Sequence, residues 1–198
     1  MKTYKINECF LSLQGEGVRV GTANVFLRFS GCNRRCTAGK EGFDCDTSHH
    51  AGQDYELAEL LKLVVEVAGS CRWVILTGGE PCLQVDDALV SSLRGLGFSV
   101  AMETNGTLQP PDGIDWLSVS PHGPEDELVV RVANEVRYVM RWGDKMPEPK
   151  IDAHHYCLSP RFDEAGVLPN ALEWCIEECK KNPTWRLSVQ AHKLWRIR

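Results

Sequence analysis

Arg72-Trp73-Val74-Ile75-Leu76-Thr77-Gly78-Gly79-Glu80-Pro81 joins an unbroken apolar run to a turn of small and chargeable residues. The run is rich in bulky and β-branched side chains and too short for a helix, so Arg72 to Leu76 reads as a strand. A strand that is apolar on both faces must be covered on both, which favours a parallel sheet over an amphipathic hairpin. The same form recurs outward from it at Asn24 to Phe29, Ser99 to Met102, Trp116 to Val119, Glu135 to Met140, His155 to Leu158 and Arg186 to Val189. Apolar residues at helical spacing predict helices over Asp54 to Ala68 and Asp86 to Leu96, each ended by a glycine, and a third over Ala171 to Lys181. Gly106 to Asp115 and Pro121 to Asn134 are too rich in Pro, Gly and acidic residues for full helices. The expected fold is α/β, a βα array with trimmed middle helices and mostly parallel strands.

The chain of 198 residues, 43% of them hydrophobic, is long enough for one domain, 1–198, with a sizeable core. No repeat, low-complexity tract or Pro/Ser linker divides it. A net charge of -5 argues against nucleic acid or an acidic membrane surface as partner and leaves a small molecule. Neither an apolar leader nor 18 consecutive apolar residues is seen, so a cytoplasmic protein without a membrane span is expected. In a reducing compartment, nine cysteines are better explained by metal binding and burial than by a disulfide framework.

The strand ends carry the chemistry. They run into Ser30-Gly31-Cys32, Thr77 to Pro81, Glu103-Thr104-Asn105-Gly106, Ser120-Pro121-His122, Ser159-Pro160-Arg161 and Gln190-Ala191-His192-Lys193. Any one of these alone reads as a turn. Together, at the carboxyl ends of parallel strands, they predict one shared pocket. Cys32, Cys36 and Cys45 lie in one Gly-rich stretch, Gly31 to Thr47. Three thiolates could hold a 4Fe-4S cluster with one iron open to a small molecule. They could equally form a tetrahedral zinc site completed by His49 or His50. On spacing alone these two readings stand near even, ahead of free or disulfide-bonded thiols. Cys175 and Cys179, four apart on a helix, read as core thiols, as do Cys9, Cys71, Cys82 and Cys157.

The cysteine triad after one strand, Thr77 to Pro81 after the next and Glu103 to Gly106 after a third resemble the radical S-adenosylmethionine enzymes. Within them, the chain resembles the 7-carboxy-7-deazaguanine synthase family. That resemblance is carried by Leu13-Gln14-Gly15-Glu16-Gly17, Phe26 to Asn33, Cys45-Asp46-Thr47, Ser118 to Pro121, Asn134-Glu135 and Trp185 to Lys193, and spans the chain from Leu13 to its end. It implies a partial, trimmed (β/α)6 barrel. It also implies a reduced 4Fe-4S cluster on Cys32, Cys36 and Cys45, with S-adenosylmethionine on the open iron. One-electron cleavage would give a 5'-deoxyadenosyl radical that takes hydrogen from C6 of 6-carboxy-5,6,7,8-tetrahydropterin. Ring rearrangement with loss of ammonia would then give 7-carboxy-7-deazaguanine, the precursor core of queuosine.

By position, the resemblance assigns Leu13, Gln14, Gly15, Arg28, Thr77 and Arg198 to the substrate, with His192 in the closing tail. Asp44, Cys45, Asp46, Gly79, Glu103, Ser120, Pro121 and His122 are assigned to the cofactors, and Thr47 to Mg2+. Arg28, placed between apolar neighbours in a buried strand, needs an anion, and its fork suits a carboxylate. The spacing Cys-x3-Cys-x8-Cys is longer than the superfamily's Cys-x3-Cys-x2-Cys, and His122 stands where the family commonly has Lys. An electron donor such as flavodoxin or ferredoxin and a homodimer are further expectations. The alternatives are another radical enzyme, such as an activase of a glycyl-radical partner, and a zinc-binding interaction module.

Overall fold

The computed structural model describes residues 2–34, 36, 51–163 and 166–198. The elements in chain order are β1 (Thr3–Leu13), β2 (Ala23–Phe29), β3 (Gln53–Glu56), α1 (Leu57–Ala68), β4 (Trp73–Gly78), α2 (Asp87–Gly95), β5 (Ser99–Thr104), β6 (Trp116–Val119), β7 (Val132–Met140), β8 (Asp152–Pro160), β9 (Phe162–Asp163), β10 (Gly166–Val167), α3 (Pro169–Lys181), β11 (Trp185–Leu187) and α4 (Ala191–Trp195). All but β9 and β10, which form a small hairpin, belong to one nine-stranded sheet of order β11-β8-β7-β6-β5-β4-β2-β1-β3. From β2 to β11 the neighbours are parallel and follow chain order. Because parallel crossovers are right-handed, a sheet that always steps the same way puts its connections on one face, as a barrel does. The edges β3 and β11 are not paired to each other, so the α/β array is an open, partial barrel.

Strand alternation assigns each face its chemistry. Val25, Leu27 and Phe29 of β2, Val74 and Leu76 of β4, and Val100 and Met102 of β5 pack with Leu60 and Val64 of α1 and Leu89 and Leu93 of α2. Further along, Val119, Val136 and Leu158 pack with Cys175 of α3. The opposite face carries Phe10, Phe26, Ile75 and Ala101 at its base. Above them, on the same face, the register brings Arg28 beside Thr77, Glu103 beside Ser118, and Ser118 beside Glu135. The helices thus cover the outside, and the inside of the curve is polar.

Two antiparallel strands were not expected. β1 adds to β2, and β3 adds to β1, with Thr3 opposite Glu56. Lys, Asn and Glu interrupt the apolar run of β1, and its alternation slips at a register shift between Ile6 and Glu8. The helix expected from Asp54 begins at Leu57, because Glu56 and Glu59 form a reciprocal capping box that ends the edge strand there. Among the described residues no helix is long and apolar enough to cross a membrane.

Candidate active site

The three strand-end segments that the sequence singled out are bonded to one another. The chain leaving β2 crosses the turn that follows β4, where Gly79 N donates to Phe29 O at 3.0 Å and Glu80 N donates to Gly31 O at 2.9 Å. A Cβ at Gly79 would overlap the Gly31 carbonyl and come within 3.2 Å of Cys32 Cβ. The second glycine is therefore required by the passage of the cysteine segment itself. Glu80, 0% exposed, accepts from Cys82 N at 3.0 Å, from Thr104 Oγ1 at 2.7 Å and from Asn105 N at 2.8 Å. Asn105 Nδ2 in turn donates to Asn33 Oδ1 at 2.9 Å, and Asn33 Nδ2 donates to Thr107 Oγ1 at 2.8 Å. One buried carboxylate and one pair of asparagines thus fix Ser30 to Asn33, Thr77 to Pro81 and Glu103 to Gly106 as a single wall.

That wall bounds a cavity of about 460 Å³ at the carboxyl ends of the parallel strands. Leu13, Gln14, Gly15, Arg28, Cys32, Cys36, Thr77, Gly79, Glu103, Ser120, His122, His192 and Arg198 all line it. Pro121, between two lining residues, is half-buried and does not itself line the cavity. Asp44, Cys45, Asp46 and Thr47, and with them the third thiol and the expected magnesium ligand, lie outside the described residues, as do His49 and His50. Cys32 and Cys36 share the cavity wall, and the backbone N–H of Arg34 donates to Cys32 Sγ at 3.4 Å. Thiols at a rigid strand end with backbone N–H donation to sulfur suit an iron–sulfur cluster. Away from the cavity, Cys157 and Cys175 are buried and Cys9 and Cys82 half-buried, and burial pushes the Cys9 thiol up to about 11 and those of Cys82, Cys157 and Cys175 up to about 12.

The opposite side of the cavity is the turn from Leu13 to Gly17. Ala191 N donates to Gly15 O at 2.8 Å, so α4 rests on this turn with His192 packed where a Gly15 side chain would be. Gly17 adopts φ +67, and a Cβ there would overlap the Glu135 carboxylate. With Gly17 N donating to Ser188 Oγ at 2.8 Å and Val18 N to Glu135 Oε2 at 2.5 Å, the turn is clamped to β7 and to the tail. Gly17→Ala is expected to cost about 2 kcal/mol of stability through the left-handed backbone alone, read as a lower urea midpoint.

On the cavity floor, Glu103 accepts from Thr77 Oγ1 at 2.9 Å, Gln14 Nε2 at 3.0 Å and Arg137 Nη2 at 2.8 Å. Burial would raise its carboxyl, but the Arg137 charge and these bonds outweigh burial and hold it below the usual carboxylate range. Its ionised form therefore stabilises the fold above the ordinary carboxylate range, and that contribution is lost as pH falls through the lowered value. Arg28 Nε lies 3.2 Å from Glu8 Oε2, while Arg198 Nη2 lies 3.0 Å from Glu8 Oε1 and its carbonyl accepts from Ser12 Oγ at 2.8 Å. Both guanidinium groups also flank the Phe10 ring, 5.8 and 5.2 Å from its centroid.

Arg137, Arg34 and Glu8 were not singled out from the sequence, and Glu135 and Asn105 stood there only within quoted segments, with no role given to them. Glu135 and Arg137 were legible as two ionisable residues two apart in an otherwise apolar strand, which places both charges on one face.

The comparisons agree with this geometry. Residues 13–107 match the family described as 4Fe-4S single cluster domain. The chain is 39% identical to a 7-carboxy-7-deazaguanine synthase of Bradyrhizobium diazoefficiens, over 99% of this chain and 100% of that protein. It is 40% identical to one of Bacteroides thetaiotaomicron, over 98% of each. The crystal structure of QueE from Escherichia coli superposes with a TM-score of 0.71 at 27% identity, covering 96% of this chain and 95% of that one. Near-complete coverage at this identity, on a site whose three strand-end segments are bonded into one cavity wall, shows that the chain belongs to the 7-carboxy-7-deazaguanine synthase family.

Proposed function

We infer that this chain is a radical S-adenosylmethionine enzyme that converts 6-carboxy-5,6,7,8-tetrahydropterin to 7-carboxy-7-deazaguanine with loss of ammonia, a carbon–nitrogen lyase step toward queuosine. The observation that carries this reading is the bonding of the Cys32, Thr77 to Pro81 and Glu103 to Gly106 segments into one wall, facing the Leu13 to Gly17 turn across a single cavity. Cys32, Cys36 and Cys45 would hold the 4Fe-4S cluster. When bound, the cluster supplies the electron that splits the sulfonium of S-adenosylmethionine.

The chain's own work is placement. Gly79, Ser120, Pro121 and His122 would receive S-adenosylmethionine along the wall built by β4 and β6, with Asp44, Cys45 and Asp46 on the cluster side. Glu103, which the resemblance assigned to the cofactors, forms one hydrogen-bonded group on the floor with Gln14 and Thr77, and the three would meet the pterin ring. Arg28 would take the pterin carboxylate, releasing Glu8 to the tail, where Arg198 and His192 close the cavity against water. Thr47 would complete a magnesium site with the substrate carboxylate, since Mg2+ takes few protein ligands. The remaining expectations are a flavodoxin or ferredoxin as reductant, a homodimer and a cytoplasmic location.

Protein reconstituted anaerobically should be brown, and its reduced form should give a cluster signal in electron paramagnetic resonance that changes when S-adenosylmethionine is added. A protein loaded with iron and sulfide that gives no such signal would contradict the reading.

A further inference from the structure

Arg137 is 4% exposed and stands at the centre of the cavity floor. Its Nη1 donates to Glu16 Oε2 at 2.8 Å, its Nη2 donates to Glu103 Oε1 at 2.8 Å, and its Nε lies 3.3 Å from Glu135 Oε1. One cation is thus shared by three carboxylates. The strands and turns that supply them are far apart in sequence, β5 for Glu103, β7 for Glu135 and the β1–β2 turn for Glu16. Fixed donors hold each carboxylate as well, Thr77 and Gln14 on Glu103, Gln190 on Glu16 at 2.8 Å and Val18 N on Glu135, and on Glu103 and Glu16 they use only part of the roughly four acceptor sites a carboxylate has. Glu103, Glu16 and Arg137 line the main cavity, whereas Glu135 faces only a second hollow of about 10 Å³ beneath it, about the volume of one water.

A guanidinium is planar and cannot rotate one N–H bond without moving the others, so Arg137 fixes the relative orientation of the carboxylates it binds. We propose that Arg137 is a positioning residue that sets Glu103 and Glu16 as a paired acceptor surface for the adjacent N–H donors of the substrate's aminopyrimidinone ring. This rests on the function inferred above. The chemistry is suited to the task because a ring bearing adjacent N–H donors presents a guanidine-like edge, which a carboxylate can accept in bidentate fashion. Arg137 itself makes no claim on the reacting atoms; it acts through the two glutamates.

Removal of the cation has a signed consequence. Glu103 would remain half-buried on the cavity floor, near Glu16 from the turn after β1 and Glu135 from β7, with Arg19 from the same turn as the nearby cation and Thr77 and Gln14 as donors. Burial, no longer offset by Arg137, then raises its carboxyl, and the acceptor is lost as pH falls.

The test uses the full-length reconstituted enzyme. Arg137→Met should raise the KM for the pterin about 30-fold or more and lower the ratio of deazaguanine product to uncoupled 5'-deoxyadenosine. Its KM should also worsen more steeply than that of wild type as pH falls from about 9 to about 6. Arg137→Lys should recover part of the KM and the wild-type pH profile. Should Arg137→Met fail to fold, a cycle of Arg137→Lys, the Glu103→Gln/Glu16→Gln pair and the triple variant decides: the triple variant should be no worse in KM than Glu103→Gln/Glu16→Gln alone. Additive effects in that cycle, or an Arg137→Met variant with wild-type KM and pH profile, overturn the proposal. Wild type that makes no deazaguanine under the same conditions overturns the inferred function as well, so the two failures are told apart by the wild-type control.

Discussion

Replacing Cys32 by alanine should abolish cluster binding and bring product formation to background while the chain stays folded. The backbone around Cys32 is held by bonds that do not use the thiol: Glu80 N to Gly31 O, Gly79 N to Phe29 O, and Asn105 to Asn33. Its side chain lies at the cavity wall rather than in the core, so little packing is lost and the melting temperature should move by only a few degrees. Iron and sulfide content after anaerobic reconstitution is the direct readout. Cys175→Ala serves as the contrast. That thiol, on α3, is fully buried in the core with Val119, Val136 and Leu158, and its loss should cost stability, about 1 kcal/mol, while leaving iron content intact. Full iron content in Cys32→Ala would sink the assignment of the cluster to this wall.

Glu80→Ala should have the largest effect on stability, about 3 to 5 kcal/mol, read from the urea midpoint. Its carboxylate is fully buried and serves Cys82 N, Thr104 Oγ1 and Asn105 N, so truncation strands buried donors from two different strand ends. Glu80→Gln should cost about 1 to 3 kcal/mol, since an amide can still accept but must turn its NH2 group toward one of the donors. Because Glu80 also orders the turn on which the cysteine segment rests, both variants should lose cluster more readily on exposure to air. A Glu80→Ala midpoint equal to wild type would show that the ends of β4 and β5 are held together by something other than this carboxylate.

The parallel strands were legible because each is apolar on both faces, and the Thr77 to Pro81 turn marked the pocket because its residues are small and polar where a strand ends. Glu80 structures its own turn through Cys82 N and in the fold also reaches the end of β5, a contact that sequence spacing cannot show. β1 escaped notice because one of its faces is half exposed and its alternation slips at Glu8. Arg137 escaped because the run from Glu135 to Met140 was read for total apolarity rather than for which side each residue takes. Gly79 was assigned to the cofactors, and the structure adds that its missing side chain makes room for the chain's own Gly31 and Cys32. Arg28 was expected to need an anion, and Glu8 supplies one within the protein, a pairing hidden by the antiparallel placement of β1.

Anaerobic turnover decides whether this chain makes the deazaguanine. Reconstituted, reduced protein is supplied with S-adenosylmethionine and 6-carboxy-5,6,7,8-tetrahydropterin, with and without magnesium, and the products are read by mass spectrometry. The expected product is 7-carboxy-7-deazaguanine, lighter than its substrate by one ammonia. Formation of 5'-deoxyadenosine without any deazaguanine would contradict the inferred function.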